Sequence, residues 1–227
     1  AFALPILATL AAVDAAAQGA GLFNRLALPP WLELALALLI LDFAIWVQHL
    51  VTHKVPLFWR FHRVHHADPD IDVTTALRFH PVEILASAAL KVGLVYFIGP
   101  SVLAVVLFEV ILNASSMFNH ANLRLPRGLD WLVRLVLVTP DMHRVHHSAR
   151  RDEHDSNYGF ALSVWDRIFG TFREQPALGH SGMRIGITGL EDPRLAVRFA
   201  GLIALPFVRA PVGANLVGEG HEGTFHS

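Results

Sequence analysis

Four apolar runs decide what this chain can fold into. Trp31 to Gln48 opens after Pro29-Pro30, a pairing that suits the first turn of a helix. Pro81–Ile98 follows, Gly99-Pro100 breaks the chain, and Ser101–Phe118 returns as another run. The earliest run, residues 2–20, is interrupted by Asp14 and Gln18. Each run is about 18 residues, near the short end of what crosses a bilayer core. Hydrophobic residues make up 53% of the chain and charged ones 16%, against about 25% charged in a typical soluble domain, and the mean hydropathy is +0.45. These features predict an all-α, integral-membrane helical bundle of about four spans (about 2–20, 31–48, 81–98 and 101–118), one domain over residues 1–227. A more polar cap is expected from about 49–80 and 119–205. For the first run a membrane span, an interfacial helix and a signal peptide stay open, since Ala15-Ala16-Ala17 mimics a cleavage site. Residues 129–138 and 195–208 read as interfacial amphipathic helices, and the Gly-rich last fifteen residues as a frayed end.

The net charge of -1 gives no reason to expect a nucleic-acid partner. With no cysteine, disulfides, thiolate zinc sites and a cysteine-held iron–sulfur cluster within this chain are excluded.

Histidine is where the chemistry concentrates. His49-x-x-x-His53 precedes His62-x-x-His65-His66, and the triplet recurs as His143-x-x-His146-His147, with His120 alone between them. Spacings of three and four on a helix point side chains to one face. Imidazole is a borderline ligand for iron, zinc, copper and nickel. A single triplet is as readily a surface cluster; two triplets and a pair at the mouths of spans offer eight nitrogens, too many for one ion and enough for two. His154, His180, His221 and His226 lack such context and read as solvated.

Charge orients the bundle. Lys54, Arg60, Arg63, Arg78, Arg124, Arg127, Arg144, Arg150 and Arg151 flank the histidine motifs, whereas the Gly99-Pro100 loop has no basic neighbour. Basic loops stay cytoplasmic, which predicts a multi-pass protein with its histidines on the cytoplasmic face. Span counting brings the clusters to that same face. It also places Lys91 and Glu109 at nearly equal depth on either side of the turn, where a facing pair offsets the cost of buried charge.

Asp42, the His49/His53 pair, FHRVHHAD (61–68), RFHPVE (78–83), NHANLRLP (119–126), MHRVHHS (142–148), NYG (157–159) and WDRIFGTF (165–172) together resemble the fatty acid hydroxylase / sterol desaturase superfamily of membrane di-iron oxygenases. The resemblance spans about 130 residues, and the short gap between His53 and His62 suits this superfamily better than the acyl-CoA desaturases. It implies two iron ions held by His49, His53, His62, His65, His66, His120, His143, His146 and His147, with O2 used to hydroxylate or desaturate a sterol, fatty-acyl, ether-lipid or carotenoid substrate. All-imidazole sites also accept zinc. The resemblance further implies an external electron donor of ferredoxin or cytochrome type, because the chain has no flavin fingerprint or haem-attachment motif. A metal-binding or metal-transport protein is the rival from another class, but transport ligands belong near the bilayer midplane. Bis-histidine haem binding gives no reason for the triplets.

Other polar residues have two readings each. Asp42 shares a helix face with His49 and His53 but lies about 10 Å from His49 along the axis, so it supports packing or a second layer around the site rather than ligating. His80 reads as a ligand or as a hydrogen-bonding group setting the entry of the third span. Glu83 and Asp141 read as acids that orient imidazoles or that sit on helix N-termini. Asn157 and Tyr158, with Trp165-Asp166, read as a fold-locking turn, with Tyr158 the alternative donor toward bound oxygen. Trp31, Trp59, Trp131 and Trp165 read as interface anchors.

Overall fold

The computed structural model describes residues 4–190 and 193–208. Five main helices build it: α1 (Leu4–Gln18), α2 (Pro30–Lys54), α3 (Pro56–His66), α4 (Pro81–Ile98) and α5 (Val102–His120). The fold is all-α; among the described residues the only β pairing is two isolated bridges, Leu137 with Leu162 and Ser148 with Ile185. Proline opens α2, α3 and α4, where a fixed φ helps and a missing N–H costs nothing. Four segments are long and apolar enough to cross a membrane: Pro5–Arg25, Pro30–Lys54, Pro81–Ile98 and Val102–His120. The chain is an integral membrane protein. No more than 33% of the apolar 18-residue stretch within each is buried by the rest of the protein. The remainder exposes side chains such as Leu39, Leu85, Phe97, Leu103 and Val110, a surface that lipid satisfies and water does not.

Small residues set the packing. Ala8, Ala11 and Ala12 of α1 meet Val95 and Val105, so α1 lies close against α4 and α5. Gly99 ends α4 at φ 70, a left-handed conformation that favours glycine. A Cβ on Gly21 would stand 2.3 Å from the Gly99 nitrogen, so the chain after α1 seats directly on this turn. Asp14 and Gln18, which interrupted the first apolar run, bond each other, and Asp14 also accepts from Tyr96 at 2.5 Å. Lys91 Nζ donates to Glu109 at 2.5 Å with both residues buried, as equal depth across the α4–α5 hairpin required.

Three boundaries differ from expectation. α2 continues to Lys54, so His49 and His53 belong to the spanning helix rather than to the cap. Within 129–138 the helix α6 (Arg127–Val133) stops early, because Val138 N bonds Ala161 O and Ser163 N bonds Val136 O. Residues 195–208 form no single helix. Short helices Pro193–Val197 and Phe199–Ala204 and a 3-10 turn fold onto α3, with Leu205 against Val64 and Ala67. Arg63 fixes this segment by donating to the carbonyls of Leu205 and Val208. Residues 2–3 of the first run, His221, His226 and the last fifteen residues lie outside the described residues.

Candidate metal centre

The nine histidines fall into two groups. His49, His53, His62, His66 and His146 bring one ligand nitrogen each to within 4.8 Å of one another, and His65, His120, His143 and His147 do the same. α2 and α5 deliver His49, His53 and His120 from their last turns; α3 and the short helix α7 (Pro140–His146) deliver the triplets. Each triplet is divided: His62 and His66 join the first group while His65 joins the second, and His143 and His147 join the second while His146 joins the first. All nine are buried, none more than 4% exposed.

Hydrogen bonds behind the rings set which nitrogen faces inward. His49 Nδ1 donates to the Tyr158 carbonyl at 2.7 Å, His62 Nδ1 to Glu83 at 2.6 Å, His120 Nδ1 to the Ser116 carbonyl at 2.6 Å and His146 Nδ1 to the Ser156 carbonyl at 2.7 Å. Each of these rings therefore turns a bare Nε2 toward the centre. Burial pushes the imidazolium pKa of His65, His66, His143, His146 and His147 well below 6.5. Neutral rings with free lone pairs are the form that binds a metal.

The nitrogens fit ions better than they fit each other. The Nε2 atoms of His120, His143 and His147 lie 3.0, 3.2 and 3.2 Å apart. Three rings converging on one point cannot all donate and accept there. The centre of such a triangle is about 1.8 Å from each corner, so an ion just off its plane reaches the ~2.0–2.1 Å of a metal–imidazole bond. In the first group, both nitrogens of His53 and of His66 and Nε2 of His146 are buried without a hydrogen-bond partner.

The remaining polar residues separate by environment. Glu83 holds His62, and its second oxygen is unpartnered. Asp42 accepts from Trp165 Nε1 at 2.7 Å and stays outside both groups. His80 also stays outside; it caps α4 by accepting from Val82 N at 3.2 Å. Asp141 does not orient an imidazole of the triplet: it pairs with Arg144 at 2.5 Å, three residues on, which draws it away. Asn157 adopts φ 50 and bonds Met142 and Arg173 backbone atoms, locking the turn that presents the Tyr158 carbonyl to His49. The Tyr158 hydroxyl is buried with no partner, and burial raises its pKa, so it stays protonated.

Four expectations need correction. His154 is not solvated: it stacks on Trp59 at 5.0 Å and, with Asp155 and His53, forms a third set of ligand atoms. His180 packs near Asp141, its side chain 7% exposed. Trp59 and Trp165 do more than anchor an interface, since one covers His53 at 5.0 Å and the other bonds Asp42. Asp155, which approaches His53 Nδ1 at 3.6 Å, went unnoticed in the sequence because RRDEHD reads as an ordinary solvated charge run.

A narrow cavity of about 150 Å³ adjoins the centre. His49, His62 and Phe160 line its metal end; Gln48, Thr52, Ser87, Asn113 and Ser116 add polar groups along it, and Lys91 and Glu109 line it between the spans.

Fold and site together define a helical membrane protein with two histidine groups able to hold metal, beside a cavity lined largely by the spanning helices. The chain belongs to the fatty acid hydroxylase family, whose model matches residues 34–171. It is 32% identical to the ornithine lipid hydroxylase OlsE of Rhizobium tropici over 182 residues, 80% of this chain and 52% of that protein. It is 35% identical to human alkylglycerol monooxygenase over 159 residues, 68% of this chain and 33% of that protein. The fatty acid hydroxylase vlmA of a Lecanicillium species is 25% identical over 217 residues, 84% of this chain and 57% of that protein. The chain thus spans about half or less of the first relatives it matches. No solved structure matches it.

Proposed function

We propose that this chain is a membrane di-iron oxygenase that hydroxylates or desaturates a lipid lying in the cavity beside the histidines. The observation that carries the reading is a pair of adjoining imidazole groups, one of which turns His49 and His62 onto a cavity lined by the spanning helices. Relatives named for ornithine lipid and for alkylglycerol make an amphiphilic lipid of one of those kinds the first substrates to try. Two irons, when bound, supply reduction of O2 and attack on an unactivated C–H bond. Hydroxylation consumes O2, two electrons and two protons, turns C–H into C–OH and releases water; the electrons come from an external ferredoxin or cytochrome-type carrier. The chain's own residues do the rest. Glu83 and the carbonyls of Ser116, Ser156 and Tyr158 hold the rings in one tautomer. The helices exclude bulk water from the nitrogens, and the cavity aligns the chain to be oxidised. Nine basic residues flank the histidine motifs and only Arg25 stands near the opposite end, which supports a cytoplasmic metal site.

His65→Ala and His146→Ala remove ligands from different groups. Each is expected to lose at least one ion by metal analysis and to abolish O2-dependent change in the lipids of expressing cells. Full metal content in both variants would rule the assignment out.

A further inference from the structure

We propose that the Lys91–Glu109 pair is a binding subsite for a neutral hydroxyl on the lipid that occupies the cavity. The inference rests on reading the cavity as a lipid site. If the pair only clamped the α4–α5 hairpin, it would be sealed between the two helices; instead both residues line the cavity. Glu109 is 4% exposed, and its Oε2 is buried with no hydrogen-bond partner. Lys91 Nζ has three donors, of which one reaches Glu109 Oε1. The pair therefore offers an acceptor and a donor to whatever lies beside it. A hydroxyl uses both and leaves the pair's charges balanced. An ammonium or a carboxylate would add an unbalanced charge to a low-dielectric site. Glu83 and Lys91 are eight residues apart on α4, so the subsite lies about 12 Å along the axis from the carboxylate that holds His62. A substrate seated this way carries a hydroxyl roughly that far from the carbon presented to the metals.

The test uses the full chain in lipid nanodiscs and three photoreactive probes carrying a diazirine at the same carbon: hexadecane, 1-hexadecanol and hexadecylammonium. Labelled residues are mapped by mass spectrometry. The wild type is expected to give labelling of cavity residues about tenfold stronger with the alcohol than with the alkane, the size of one net hydrogen bond to a charged group. Lys91→Met with Glu109→Leu should keep the alkane labelling and lose the preference. E109Q, nearest in shape, should weaken it if the double variant does not express. An undiminished preference in the variants, equal labelling by alcohol and alkane in the wild type, or a preference for the ammonium would overturn the subsite. If no probe labels the cavity, the reading of the cavity as a lipid site fails first, and the subsite with it.

Discussion

Glu83 distinguishes a metal-orienting acid from a helix-stabilising one. Its Oε1 accepts from His62 Nδ1 at 2.6 Å with the Glu83 side chain 10% exposed, and His62 belongs to the five-histidine group alone. Replacing such a partner typically costs 10- to 100-fold in metal affinity, or about 1.4–2.8 kcal/mol. Glu83→Gln keeps the shape and an acceptor and should fall at the lower end. Glu83→Ala leaves a buried N–H without a partner and should reach the upper end. Competition against a graded series of chelators resolves the two ions as separate steps. Only the step of the five-histidine group should move; the step of His65, His120, His143 and His147 should stay. The competing account follows from Glu83 being the third residue of α4, where an acid gains roughly 0.3–1 kcal/mol from the helix dipole. In that case both variants lower thermal stability slightly and change neither step. Unchanged affinities, or equal losses at both steps, would refute the orienting role.

Lys91→Met alone leaves Glu109 buried and unpaired and should destabilise by roughly 3 kcal/mol or more, whereas adding Glu109→Leu should restore most of the loss; additive losses in detergent thermal melts would mean the contact is absent. Cysteines placed at exposed Ser101 and exposed Gln175 should label from opposite sides of intact cells, and labelling from one side would break the hairpin topology. Ser148 does not serve for this, being 1% exposed. The metal-free chain should lose stability in acid. His65, His66, His143, His146 and His147 are depressed well below 6.5 by burial when folded. Below about pH 6.5 the unfolded chain therefore binds more protons, so stability present above that pH falls progressively beneath it. A flat melting temperature between about pH 8 and pH 5 would contradict the buried, neutral assignment.

What could be read in the sequence was whatever obeys a period. Apolar runs near 18 residues fixed the spans, and counting back from Gly99-Pro100 put Lys91 opposite Glu109. What could not be read came from irregular backbone and from distant segments. The carbonyls of Tyr158 and Ser156 carry no side-chain signature, yet they set the tautomers of His49 and His146. Asp155 reaches His53 across a separation no local pattern encodes. Asp166 lies over a hundred residues from Trp46, and accepting from its Nε1 at 3.1 Å and from Tyr158 N at 2.9 Å it ties the turn to α2.

The division of the triplets follows from helix geometry. At 3.6 residues per turn, positions i and i+4 point about 40° apart, i and i+3 about 60° apart, and i+3 and i+4 about 100° apart. In HxxHH the first and last rings are thus the nearest in direction and join one ligand group, while the middle ring swings away toward a neighbour. His62 and His66 keep to one group and release His65; His143 and His147 keep to the other and release His146. The two triplets exchange their middle rings, and each completes the ligand set the other begins. His66 stacks on His147 at 4.4 Å across the boundary between the groups. A single triplet with this geometry leaves one ring unspent, so its recurrence is what a two-ion centre requires, and His49, His53 and His120 from the ends of α2 and α5 tie that centre to the membrane bundle.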